Sequence, residues 1–128
     1  MRLLLDTHIF LWAISDDDRL TARVRKAIED RRHSVFVSAA TTWEIAIKWR
    51  AGKLELPLPP DDLVPTGIAR SHFDILPISV AHTLAAANLP MHHSDPFDRI
   101  LIAQAMIENA TLITVDEKIM RYTVPVFA

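Results

Sequence analysis

Cysteine is absent from the 128-residue chain, which excludes disulfides and thiolate metal sites. No apolar run reaches the roughly 18 residues that a membrane-spanning helix needs. The first residues carry one arginine and too short an apolar stretch for a secretory leader, so a cytoplasmic chain is expected. There is no excess of positive charge either. The formal net charge is −2 at pH 7, so contact with a polyanion has to come from local basic patches. Internal repeats and low-complexity segments are also missing. What is present is a half-hydrophobic composition, which suits an α/β protein with both sheet faces covered. Residues 1–128 have the length of a single domain.

The stretch that organises the rest is Arg2-Leu3-Leu4-Leu5-Asp6-Thr7-His8. Three leucines followed at once by a carboxylate and a hydroxyl read as a buried parallel strand with polar groups at its carboxyl end. Helix follows from His8 to Ile14, then an acidic loop, Asp16 to Asp18, and a helix from Thr21 to about Asp30 capped by Asp18 or Thr21. Arg19, Arg23 and Lys26 recur at i, i+4 and i+7 there and give a basic face. Val35 to Val37 is a second strand. Ser38 caps a helix to Ala51, closed by Gly52 as C′ residue, with Lys48, Arg50 and Lys53 near the negative end of its dipole. That helix is apolar almost all round, which predicts burial.

Residues 54–60, with three prolines, form a stiff connector. Asp61 to Ser71 reads as helix, Phe73 to Ile78 as a third strand, and Val80 to Asn88 as a helix capped by Ser79. Asp95 followed by Pro96 starts a helix to about Asn109. Thr111 to Val115 is a strand, Asp116 begins a short helix, and Val124 to Phe127 is a last edge strand. Strands alternating with helices predict a three-layer α/β/α domain around a mainly parallel sheet.

Four acids are candidates for chemistry: Asp6, Glu44, Asp98 and Asp116. Each has an ordinary explanation. Asp6 and Asp116 can cap the elements after them. Glu44 can pair with Lys48 at i+4. Asp98 can answer the helix dipole and pair with Arg99 or Arg121. Asp95 is read as a cap. Taken together, however, two acids end apolar strands and two sit in apolar helices, so they can point at one place beyond the carboxyl ends of the strands, where open α/β sheets bind ligands. Carboxylates that close repel unless a cation lies among them. Oxygen donors without cysteine suit Mg²⁺ or Mn²⁺, and such a cluster fits metal-assisted phosphodiester hydrolysis.

The order and spacing of these segments resemble PIN-domain ribonucleases, and within them VapC-type toxins of toxin–antitoxin pairs. The matching residues are Leu3 to His8, Ser38 to Ile47 with Glu44, the run His93-Ser94-Asp95-Pro96-Phe97-Asp98-Arg99 before Ile102-Ala103-Gln104-Ala105, and Thr111 to Asp116. The resemblance implies a three-layer fold, an acidic pocket for Mg²⁺ or Mn²⁺, cleavage of RNA, homodimers, and inhibition by a cognate antitoxin. By motif position Asp6, Glu44, Asp98 and Asp116 take the catalytic and metal-holding roles, with Thr7, Thr114 and Asp95 in support. Arg19, Arg23, Lys26 and Lys48 are candidate phosphate partners, with an ordinary solvated face as the alternative. His93 is read as structuring its loop, with a helper role at the acids as the alternative. Trp12, Trp43 and Trp49 are read as core or subunit contacts.

Two other classes are weighed. A haloacid-dehalogenase-type phosphatase also opens on a strand ending in Asp but needs a second acid two residues on, where this chain has His8. A non-catalytic interaction module would make all four acids structural.

Overall fold

The computed structural model describes residues 1–122 and the backbone of Val126 and Phe127. Five parallel strands form the sheet: β1 (Arg2–Leu5), β2 (Ser34–Ser38), β3 (Asp74–Leu76), β4 (Thr111–Ile113) and β5 (Val126–Phe127), in the order β3-β2-β1-β4-β5. The chain runs outward from β1 through β2 to β3, then returns to the other side of β1 to lay down β4. The order therefore reverses at the β1/β4 crevice, the kind of place where open parallel sheets take their ligands.

Among the described residues six α-helices cover the sheet: α1 (Thr7–Ile14), α2 (Ala22–Glu29), α3 (Ala39–Arg50), α4 (Pro60–Ser71), α5 (Val80–Asn88) and α6 (Pro96–Ile107). The leucines of β1 explain the layering, because successive strand residues point to opposite faces. Leu3 and Leu5 join a core with Ile9 and Phe10 of α1, Val24 of α2, Ile45 of α3 and Val64 and Ile68 of α4. Leu4 joins a second core with Leu101, Ile102 and Ala105 of α6. All three leucines are almost fully buried, each worth about 1.5–3 kcal/mol. The expected α/β/α architecture and parallel sheet are what the chain forms.

Several boundaries differ from the sequence reading for local reasons. Pro77 follows β3, which stops at Leu76. Asn109 turns with φ 55, so α6 ends at Ile107. Pro60 opens α4 one residue early, with Pro59 as its cap. Thr21, rather than Asp18, caps α2 by accepting from the Val24 N–H. Asp116 is followed by a single 3₁₀ turn at Ile119–Arg121. Of the expected last strand, Val126 and Phe127 pair with β4, while Val124 and Pro125 lie outside the described residues.

Gly67 matters for packing: a Cβ there would lie 2.9 Å from Ile14, so α4 can approach α1 only because that atom is missing. The expectation that α3 is buried all round is corrected. Trp43 is 61% exposed, and Ile47 and Trp49 also face outward. Only the side carrying Ala40, Thr41, Glu44 and Ile45 is buried.

Candidate active site

Asp6 ends β1 and caps α1, its Oδ1 accepting the Ile9 N–H at 2.9 Å. Its Oδ2 accepts a hydrogen bond from the Thr114 hydroxyl. The side chain is buried, and burial pushes its carboxyl above the usual range against the lowering effect of those two donors. The charge of Asp116 adds to the rise, so the ends of β1 and β4 share one electrostatic environment. Capping and clustering are therefore both true of Asp6.

Glu44 is buried on the inner face of α3. Its Oε1 accepts the Thr7 hydroxyl at 2.5 Å, and its Oε2 accepts the Lys48 ammonium one turn on. That ion pair, expected as a surface feature, is buried on its acidic side. It raises the pKa of Lys48, and Asp95 and Asp98 lie near enough to add to the effect. One Cα before each acid, Trp43 and Phe97 meet edge to face with centroids 5.5 Å apart, which fixes α3 against the first turn of α6.

Asp95 caps α6, its Oδ1 accepting the N–H groups of Phe97 at 2.8 Å and Asp98 at 3.2 Å. Asp98 is part of that first turn. Burial, then the charges of Asp95 and Glu44, push its carboxyl up to about 7, with His93 opposing and Asp6 adding. Asp98 pairs with neither Arg99 nor Arg121 as its ordinary explanation required. Its partner is His93, whose Nε2 lies 2.9 Å from Asp98 Oδ2 and 3.1 Å from Asp116 Oδ2. Asp116 is held where β4 leaves the sheet: its N–H donates to Thr114 Oγ1 at 3.0 Å, and its Oδ1 accepts the Lys118 N–H at 2.8 Å.

Four carboxyls from four separate elements thus converge on the carboxyl edge of the sheet. A cleft of about 650 Å³ lies instead at the amino ends of β2 and β3, and none of the four acids lines it. The acids themselves offer carboxylate oxygens, two of them oriented by Thr7 and Thr114, and Asp6 and Glu44 act on Asp98 through their charge. Those are properties that suit a hard divalent cation. His93, Asp98 and Asp116 each offer an atom within 4.8 Å of the others.

The proposed basic contacts are largely engaged within the protein. Arg19 pairs with Asp17 and lies over Trp12, and Lys48 is held by Glu44. The residues missed in the sequence are Arg99 and Tyr122. Arg99 is buried, and its guanidinium donates to the carbonyls of Ala86, Leu89, Pro90 and His93. Tyr122 Oη accepts the N–H groups of His92 and His93 and donates to the Pro90 carbonyl at 2.6 Å. No local signal marks either role, because their partners are backbone carbonyls and amides of a distant loop.

A parallel α/β/α sheet with carboxylates gathered at its switch point defines a class of acidic-site α/β domains. Within it the chain belongs to the PIN domain family, whose model matches residues 3–124. Ribonuclease VapC16 of Mycobacterium tuberculosis is 42% identical over 59 residues, a stretch that covers 46% of this chain and 42% of that relative's length. Among solved structures, VapBC2 from Rickettsia felis bound to a promoter DNA fragment aligns with a TM-score of 0.73 at 18% identity, covering 99% of this chain and 98% of that one. DNA-bound VapBC from Salmonella typhimurium aligns with a TM-score of 0.71 at 13% identity, covering 99% and 97%. At those identities the likeness is one of fold. No helix among the described residues is long and apolar enough to cross a membrane.

Proposed function

We propose that this chain is an endoribonuclease that hydrolyses RNA phosphodiester bonds with Mg²⁺ or Mn²⁺, and that it acts as the toxin of a toxin–antitoxin pair. The observation that carries the reading is the meeting of Asp6, Glu44, Asp98 and Asp116 at one edge of the sheet, with the Asp98 carboxyl held near 7 by burial and by its acidic neighbours. A polyanionic substrate has no reason to approach such a site unless a cation intervenes. Membership of the PIN family, the likeness to a VapC ribonuclease and the fold shared with VapBC and other toxin–antitoxin complexes support substrate and partner.

Asp6, Glu44, Asp98 and Asp116 would hold the metal. Bound there, a divalent cation supplies charge that polarises a phosphoryl oxygen and makes water a better nucleophile. The protein's own part is orientation. Thr7 and Thr114 each donate to one carboxylate oxygen, and every such oxygen keeps a further lone pair for a cation. Lys48 offsets part of the charge on Glu44. The α6 amino end favours negative charge at Asp98. In this reading the partner is a cognate antitoxin, and the protein works as a homodimer in the cytoplasm. Arg23 and Lys26, on the basic face of α2, are the candidate phosphate contacts.

The test is cleavage of a mixed cellular RNA pool by the purified chain in EDTA, Mg²⁺ or Mn²⁺, beside Asp98→Asn. Metal-dependent cutting that disappears in Asp98→Asn supports the reading, and the fragment ends then define the target. No cutting under any condition, with Asp98→Asn melting like the parent in Mn²⁺, would make the acids structural and the chain an interaction module.

A further inference from the structure

His93 sits among the acids without a part in the chemistry above. Its Nε2 contacts Asp98 Oδ2 at 2.9 Å and Asp116 Oδ2 at 3.1 Å. Adjacent ligands of an octahedral ion at about 2.1 Å stand about 3 Å apart, so on distance alone His93 passes for a third ligand.

The other ring nitrogen argues against that. Nδ1 lies 3.2 Å from the backbone N of Asp95, whose N–H points at it. A backbone amide only donates. Nδ1 is therefore the acceptor and carries no proton, and the ring proton belongs on Nε2. A histidine that binds metal through Nε2 has the reverse arrangement, with Nδ1–H donating to a carboxylate, carbonyl or water. Ligation here would set two N–H groups against each other.

We propose that His93 is a positioning residue and not a metal ligand. With its tautomer set by the Asp95 amide, its Nε2–H donates to Asp116 Oδ2 while the same nitrogen lies 2.9 Å from Asp98 Oδ2, so the ring stands between the two carboxylates. This fixes the first turn of α6 relative to the end of β4, two elements that no backbone hydrogen bond among the described residues joins at this point. The ring is aimed from behind: the Tyr122 hydroxyl accepts the His93 N–H at 2.9 Å, and Arg99 Nη1 donates to the His93 carbonyl at 3.2 Å. Tyr122 and Arg99 thus hold the His93 backbone by both its N–H and its carbonyl. The tautomer stands independently of the nuclease reading, whereas the effect on metal binding rests on it.

The experiment reads the ring directly. Long-range ¹H–¹⁵N spectra of the ¹⁵N-labelled protein, metal-free and with saturating Mg²⁺, are expected to give the Nε2–H form of His93 in both. Pulsed EPR of the Mn²⁺-loaded protein is expected to lack directly bonded ¹⁴N coupling. His93→Gln, which restores an N–H donor near the place of Nε2, should keep Mn²⁺ affinity close to that of the parent. His93→Phe, which has no donor, should lose about 10-fold or more while keeping its circular dichroism. An Nδ1–H ring in either state, Mn²⁺–¹⁴N coupling, or equal losses in the two variants would overturn the proposal. If the parent binds neither Mg²⁺ nor Mn²⁺, the nuclease reading fails, and the metal-free spectrum still decides the tautomer.

Discussion

The hydroxyl of Thr114 donates to Asp6 Oδ2, tying together residues 108 apart in the chain. They meet because β1 and β4 are parallel neighbours in register, Leu5 beside Ile113. The same two strand ends flank the crevice where the sheet order reverses, so one hydrogen bond fixes a carboxylate at the site the topology creates.

Thr114→Val keeps the shape and removes the donor. Asp6 is then left buried with one oxygen unserved, at an expected cost of about 1–3 kcal/mol. The Thr114 bond favours the ionised carboxyl, while burial raises its pKa. The loss should therefore be larger at pH 8 than at pH 5. Urea unfolding of parent and variant at the two pH values checks this, and a pH-independent difference would count against it.

The metal-free protein should become less stable as pH rises toward 7. Asp98 titrates near 7 when folded against 3.8 as its ordinary value. Between those values the native state keeps a proton that the unfolded chain has lost, so stability falls with pH. The loss is complete once pH passes the folded value. From pH 5.5 to 8 this group contributes roughly 2 kcal/mol of that fall. In EDTA, Asp98→Asn should flatten the profile and melt higher than the parent at pH 8. Added Mn²⁺ should stabilise the parent more than this variant.

Cleavage should respond to the acids unequally. Asp6 and Glu44 are buried and Asp98 is half-buried, whereas the Asp116 side chain is 36% exposed and water can screen or replace part of its role. In the proposed reaction Asp6→Asn, Glu44→Gln and Asp98→Asn are expected to lose about 10³-fold or more in rate. Asp116→Asn should retain more. Single-turnover rates in Mn²⁺ give the order.

Arg99→Met should be among the most destabilising single changes, by at least about 3 kcal/mol. It removes a buried cation whose donors serve the carbonyls of Ala86, Leu89, Pro90 and His93. Hydrogen exchange should show the loop from Leu89 to Ser94 opening first, before the sheet.

Local chemistry is legible in this chain as written. The capping residues at Asp6, Thr21, Ser38, Ser79 and Asp95 all act within a few residues of themselves, and the alternation of β1 across two cores follows from strand geometry. The Glu44–Lys48 pair is likewise one helical turn long. These features depend on neighbours in sequence, which the sequence states. The choice of partner for Asp98 and Arg99 was different. Adjacent helical residues do not face each other, so Arg99 turned to a loop's carbonyls while Asp98 turned to His93 and the acids. The meeting of Asp6 with Asp116, and of Glu44 with Asp98, depended on the strand order and on α3 lying against α6. Those are long-range contacts set by how whole faces bury their apolar residues, and no stretch of the chain carries that information alone.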